Sequence, residues 1–274
     1  MERMVDVLGY LLRHQESSGE LKYCKECGYP IQKRMKIGEQ ELLLPIMCKC
    51  RQDHLNAYKE RQQAEEIERN RKICFGRSIE QMMRCTFEND EYPDSKESKA
   101  CKKYAEEFAD MRAGRTPNDI GTGLLFFGNV GTGKSYLAAA IANKIIDNGY
   151  TALFTNFADI ASRVQADFGS RIDVFNDLQR YSLLILDDLG IERSSEYMQE
   201  IVYSVINNRY QSGKPMIITT NLNHEDLTRN DSVGHARIYD RILQCCIPIE
   251  LFGMSRRRQA FKNMNAGRKE YFGL

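Results

Sequence analysis

At 274 residues the chain can hold one large α/β domain and a small accessory module, so two units are expected. Lys+Arg 39 against Asp+Glu 38 leaves a net charge of +1, which excludes a global basic field for nucleic acid and leaves only local patches open. No run approaches the roughly 18 apolar residues of a spanning helix, and Glu2, Arg3 and Asp6 interrupt the apolar N-terminus, so a soluble, cytoplasmic protein without membrane association is expected.

In chain order, Met4, Val5, Leu8, Leu11 and Leu12 recur at helical spacing and predict a short amphipathic helix over 2–14. Next come Cys24-Lys25-Glu26-Cys27-Gly28 and, after a twenty-residue spacer, Cys48-Lys49-Cys50. The apolar pairs of Ile31 to Ile46 around Gly38 predict a hairpin between the two cysteine pairs. C-x-x-C followed by C-x-C suits tetrahedral Zn²⁺ at Cys24, Cys27, Cys48 and Cys50, because each close pair bites one ion and the spacer brings the pairs together. His54, one helical turn past Cys50, is an alternative ligand or a solvent-facing side chain. The other five of the nine cysteines, Cys74, Cys85, Cys101, Cys245 and Cys246, lack such spacing and read as small apolar residues. An odd count without a signal peptide points to a reducing compartment rather than a disulfide scaffold.

Residues 51–72, rich in Arg, Glu, Gln and Lys, predict a solvated helix leaving this module, with the domain boundary near 73–86; the working division is 1–72 and 73–274. A charged helix over Ser98–Arg112 precedes the core. From Leu124 onward, strands at 124–127, 150–155, 182–187, 215–220 and 246–250 alternate with helices at 134–147, 157–168, 195–211 and 235–244. That alternation is the signature of a parallel sheet with crossover helices.

The first of those connections is Gly128-Asn129-Val130-Gly131-Thr132-Gly133-Lys134-Ser135, a G-x-x-x-x-G-K-[ST] match between an apolar strand and a helix. The glycines free backbone N–H groups to wrap phosphate oxygens at the positive end of the helix. Lys134 is expected to neutralise the β- and γ-phosphates of ATP and Ser135 to ligate Mg²⁺. Ser182 to Asp188 is an apolar strand ending in two carboxylates: Asp187 is expected to hold Mg²⁺, directly or through water, and Asp188 to polarise the attacking water. Asn221 ends a further strand with an amide that can orient that water.

Together with Arg237-Ile238-Tyr239-Asp240-Arg241-Ile242 and Gly253-Met254-Ser255-Arg256-Arg257, these residues resemble the AAA+ ATPases of the DnaC-like helicase-loader group, which includes the IstB-type transposition helpers. The resemblance covers about 120–260. It implies an AAA+ P-loop NTPase three-layer α/β sandwich with a five-stranded parallel sheet, plus the small zinc-binding module. It further implies that Asn221 is sensor 1, Arg241 the arginine finger and Arg257 the sensor 2 arginine, with Arg237 competing for the finger and Arg256 and Arg258 for sensor 2. Asp188 stands where many AAA+ enzymes have Glu, one methylene longer, which points to slow, switch-like hydrolysis. Too few residues follow the last strand for a full helical lid.

The function implied is an ATP-dependent loader that delivers a replicative, hexameric DnaB-type helicase to single-stranded DNA, the zinc module gripping the helicase. A homo-oligomer on DNA or on the helicase is the expected assembly. Phe168, Ser195 and Tyr197 are candidate single-strand contacts or, on the plainer reading, packing residues. The rival readings are an IstB-like ATPase helper of a transposase, a P-loop nucleotide kinase, and an adaptor with a vestigial nucleotide site.

Overall fold

The computed structural model describes residues 20–37, 40–76, 79–112, 123–166, 171–190, 196–223, 225, 233–253, 255–258, 261, 268, 271 and 272. The expected helix over 2–14 lies outside them. Two compact units divide the chain, Met1–Glu66 and Ile67–Leu274.

In the first unit, β1 (Gln32–Ile37) and β2 (Gln40–Pro45) form the expected antiparallel hairpin, in register from Gln32 opposite Pro45 to Ile37 opposite Gln40. The ladder continues beyond the strands. Ile46 N–H donates to Ile31 O at 2.9 Å and Ile31 N–H to Lys22 O at 2.8 Å, and Tyr23 bridges Pro30. This extension brings the chain after β2 back to the turn at Cys24. Helix α1 (Lys49–Phe75) starts there; its long polar stretch has high helix propensity and carries pairs such as Arg61 with Glu65 at 3.0 Å.

The second unit is built on a five-stranded, wholly parallel sheet: β3 (Gly123–Phe127), β4 (Ala152–Asn156), β5 (Leu183–Leu189), β6 (Met216–Thr220) and β7 (Cys246–Glu250), in spatial order β4-β5-β6-β3-β7. All five lie where the apolar runs place them. Strands buried on both faces read as continuous hydrophobic runs, and β3 is buried at every position. Successive residues then serve opposite layers. Leu124 and Phe126 pack with α3 (Lys96–Arg112) and α4 (Lys134–Asp147), whereas Leu125 and Phe127 pack with α5 (Phe157–Ala166), α6 (Arg171–Leu178), α7 (Glu196–Gln211) and α8 (Val233–Cys245). The result is a three-layer sandwich. Pro248, which has no N–H to donate, sits in the edge strand β7.

Helix α6 was not foreseen; Val174 and Leu178 bury one side of its two turns, too short a repeat to separate from the preceding helix in sequence. Another short helix, α2 (Ile79–Met82), precedes the core. Residues Cys74 and Phe75 of α1 are buried in the α3/α4 layer, where tertiary packing claims the end of a helix whose sequence is polar. Among the described residues, no helix is long and apolar enough to cross a membrane.

Arg209 on α7 is fully buried and holds two strand starts together. Its guanidinium donates to Pro215 O at 2.9 and 3.2 Å, Ser182 O at 3.0 Å and Tyr181 O at 3.0 Å. These carbonyls lie just before β5 and β6, and Pro215 O also accepts from Leu184 N–H at 3.5 Å, so the Tyr181 and Ser182 carbonyls are the ones the fork keeps from being orphaned. Burial pulls its pKa down to about 9.

Candidate nucleotide site and thiol cluster

The carboxyl ends of β3, β5 and β6 meet at the phosphate loop, as parallel α/β sheets place their ligands. From Gly128 the loop turns into α4, whose N-cap is Gly133, without a side chain to occupy the first-turn amides. Those amides are therefore available to an anion. Gly131 has φ 82°, and a Cβ there would collide with Ser255, so the loop needs glycine for both conformation and close approach. Thr132 Oγ1 donates to Asn129 O at 2.9 Å, bracing the turn, while Asn129 and Val130 are exposed at its tip.

Lys134 is buried, and its ammonium donates to Gly128 O at 2.9 Å and Asn129 O at 2.7 Å. Burial lowers its pKa, and the charges of Asp188 and Asp187 work against that shift. Asp187 is pushed up, first by burial, although the hydroxyls of Thr219 and Ser135 donate to it and hold it down in part. Ser135 and Asp187 thus stand side by side, an oxygen pair suited to Mg²⁺. The donor set fits the ion.

β5 continues two residues past its expected end at 187. A register break between Leu186 and Leu189 places Asp188 at φ 59°, a conformation that aspartate tolerates better than most non-glycine residues. The bulge takes the Asp188 N–H out of the ladder, and Thr219 Oγ1 accepts it at 2.9 Å while donating to Asp187 Oδ1 at 2.6 Å. One hydroxyl therefore meets the first carboxylate and the backbone of the second residue. Asn221 Nδ2 reaches Asp188 Oδ1 at 3.4 Å, so the sensor 1 candidate and the second carboxylate are neighbours.

A cavity of about 310 Å³ opens beside the loop, lined by Gly131, Gly133, Lys134, Ser135, Arg256 and Arg257 together with Gln81, Met82, Cys85 and Tyr136. Helix α4 fixes the wall at 81–85: Asn143 Nδ2 donates to Met82 O and Cys85 O, each at 2.9 Å, and Tyr136 Oη to Thr86 O at 2.8 Å. Arg257 is exposed, and its charge acts on both Lys134 and Asp187.

Sequence reasoning missed Thr219 as the residue that holds both members of the carboxylate pair, and the wall formed by 81–85. Thr219 is legible only as a polar residue at the end of an apolar strand; the wall carries no motif. Arg241 lies apart from this constellation. Its guanidinium bonds Asn207 Oδ1 and lies over the rings of Tyr203 and Tyr210, 5.2 and 5.6 Å from their centroids, all on α7. Arg237 is exposed on α8. Tyr197 is partly exposed in the first turn of α7; Phe168 and Ser195 lie outside the described residues.

In the first unit, Cys24, Cys27, Cys48 and Cys50 converge, all four Sγ atoms within 4.8 Å of one another. Cys24 and Cys50 are 3.5 Å apart and Cys48 and Cys50 3.3 Å. Thiolates at about 2.3 Å from a tetrahedral Zn²⁺ stand about 3.8 Å apart, so the cluster fits that ion. The knuckle is built locally: Gly28 N–H donates to Cys24 O at 2.9 Å, and Gly28 takes φ 69°. Amides of Cys27 and Glu26 bring the Cys24 thiol down to about 6, whereas the hydrogen bonds that Cys50 donates to Cys48 and Cys24 keep it protonated and push it up. Four thiols this close cannot all ionise without a cation among them. His54 is exposed and is not part of the cluster.

With this geometry in view, the family described as IstB-like ATP binding protein matches residues 77–264. The chain belongs to that family. It is also 32% identical over 152 residues to the replicative helicase loader DnaC of Escherichia coli (strain K12), which covers 53% of this chain. The match spans 58% of that relative's length, less than two thirds. Among solved structures, the crystal structure of DnaI has TM-score 0.52 at 24% identity, covering 63% of this chain and 94% of that one. The crystal structure of the DnaC helicase loader has TM-score 0.51 at 23% identity, covering 63% and 99%. These likenesses show the fold, the AAA+ P-loop NTPase sandwich with its five-stranded parallel sheet.

Proposed function

We propose that this IstB-like, DnaC-like protein is an ATP-dependent loader that delivers a replicative, hexameric DnaB-type helicase to single-stranded DNA. The observation that carries this reading is the likeness to DnaC at 32% identity, in a chain that joins a four-thiol unit to a P-loop, a carboxylate pair and a facing amide. Residues 1–72 hold Zn²⁺ through Cys24, Cys27, Cys48 and Cys50 and grip the helicase; residues 73–274 are the ATPase domain.

In that domain Gly128–Ser135 cradle the phosphates, Lys134 neutralises charge there, and Ser135 with Asp187 holds Mg²⁺. The ion, when bound, stabilises charge on the transferred phosphoryl group. Asp188 polarises the attacking water and Asn221 orients it. Arg257 senses the γ-phosphate, and Arg241 serves a neighbouring subunit's ATP in an oligomer formed on DNA or helicase. Asp188, one methylene shorter than glutamate, makes turnover slow. Tyr197 offers a base its ring. The setting is the cytoplasm.

Co-purification tests the loader reading: the chain is expected to retain the cognate replicative helicase through residues 1–72 and to release it on single-stranded DNA with ATP. Retention of a transposase instead, with no helicase, would establish the IstB-like alternative. Phosphate release without an acceptor separates both from a nucleotide kinase.

A further inference from the structure

We propose that Asp90 is a positioning residue of the nucleotide site: through Arg256 it ties the segment 255–258 across the phosphate loop and so sets Arg257 against the phosphates. This rests on the ATP-site reading above and adds to it a residue that belongs to none of the motifs.

The Asp90 side chain has no exposed surface. Its Oδ1 accepts from Arg256 Nη1 at 3.1 Å and from Tyr92 N–H at 3.1 Å, and among the described residues its Oδ2 has no partner. A carboxylate taken out of water needs a counter-charge, and Arg256 is the cation that meets it. The Arg256 guanidinium also lies over the Tyr92 ring, 4.6 Å from its centroid. Its backbone N–H donates to Gly131 O at 2.8 Å, and a Cβ on Gly133 would come within 3.0 Å of its guanidinium carbon. Arg256 is thus held at three points, two on the segment before the sheet and one on the phosphate loop. Its side chain serves as the anchor.

The anchored neighbour is Arg257, which lines the same cavity as Gly131, Gly133 and Lys134 and whose charge acts on Lys134 and Asp187. The segment that supplies Asp90 is itself braced from α4 through Tyr136 and Asn143. A continuous set of contacts therefore links the wall at 81–85 to Arg257. Loosening the Asp90–Arg256 pair frees Arg257 to leave the γ-phosphate position while the loop that binds the other phosphates stays intact.

The test is fluorescence titration of the full chain with labelled ATP and labelled ADP, for wild type, Asp90→Asn, Arg256→Gln, the double variant and Arg257→Ala. Asp90→Asn is expected to weaken ATP about tenfold, the worth of one charged contact, and to leave ADP within about twofold. Arg256→Gln and Arg257→Ala are expected to do the same, and the double variant to lose no more than either single one. Unchanged ATP affinity, or equal loss of ATP and ADP in a variant that circular dichroism shows to be folded, overturns the proposal. Should Asp90→Asn fail to fold, Arg256→Lys against Arg256→Gln decides. Lysine keeps the ion pair and is expected to keep the preference for ATP that glutamine loses, and equal behaviour overturns the proposal. Lys134→Ala is the control for the site itself. If it binds both nucleotides as wild type does, the ATP-site reading fails, a result distinct from those above.

Discussion

Thr219 shows how much a single hydroxyl carries at this site: it accepts from the Asp188 amide and donates to the Asp187 carboxylate, so one side chain on the neighbouring strand holds both residues of the pair. Asp187 is strained electrostatically. Burial raises its pKa above the ordinary 3.8, so the stability this group contributes is fully present below 3.8 and is lost as pH rises through the folded value. At neutral pH the ionised carboxylate therefore costs the nucleotide-free fold stability. Asp187→Asn is expected to raise the melting temperature by a few degrees at pH 7.5, at about 2–4 °C per kcal/mol, and to abolish Mg²⁺-dependent hydrolysis. The gain should shrink on acidification, and a melting point at or below wild type at neutral pH would refute it. Arg209 is a second buried charge, its donors used on carbonyls. Arg209→Met orphans the Tyr181 and Ser182 carbonyls and is expected to cost about 3 kcal/mol by denaturant melts, with no rescue by lysine, whose point charge cannot span them.

At the scale of elements, β5 and the thiol knuckle each depend on one local departure from regular structure. The bulge at Asp188 turns a plain strand end into a pair of carboxylates with separate partners, Thr219 for one and Asn221 for the other. The knuckle at Cys24–Gly28 draws amides onto one sulfur before any ion is considered, which lowers the cost of forming the first thiolate. Metal analysis is expected to give about one zinc per chain. Cys24→Ser or Cys48→Ser should lose that ion and helicase retention together while titration shows ATP binding unchanged, because the nucleotide residues all lie in the other compact unit. Parallel loss of ATP binding would contradict that independence.

At the scale of the whole molecule, the two candidate finger arginines differ in their surroundings. Arg241 is engaged by Asn207, Tyr203 and Tyr210 of its own chain, whereas Arg237, one turn earlier, is exposed. Arg241→Ala is expected to bind ATP normally and fail to hydrolyse it, with activity partly restored on mixing with Lys134→Ala, because a hybrid interface joins an intact loop to an intact arginine. Full activity of Arg241→Ala alone would move the finger to Arg237. Tyr197→Ala, with its fold verified, should weaken single-stranded DNA by roughly 1–3 kcal/mol if a base stacks there. Unchanged affinity returns Tyr197 to packing.

The sequence by itself determined the five strands, the loop from Gly128 to Ser135, the carboxylate pair and the tetracysteine spacing. Each is a local pattern, fixed by side-chain periodicity or by the chemistry of a ligand that tolerates few residue types at few spacings. The strand order β4-β5-β6-β3-β7 was decided by the tertiary structure, since nothing in a strand's own residues names its neighbour. Tertiary structure alone decided what depends on distant segments meeting: Thr219 between the Asp187 carboxylate and the Asp188 amide of another strand, Asn143 and Tyr136 holding the 82–86 turn, and Asp90 paired with Arg256 across 166 positions of chain. Such pairs leave no periodicity, because burial and charge compensation act between residues that the sequence keeps apart.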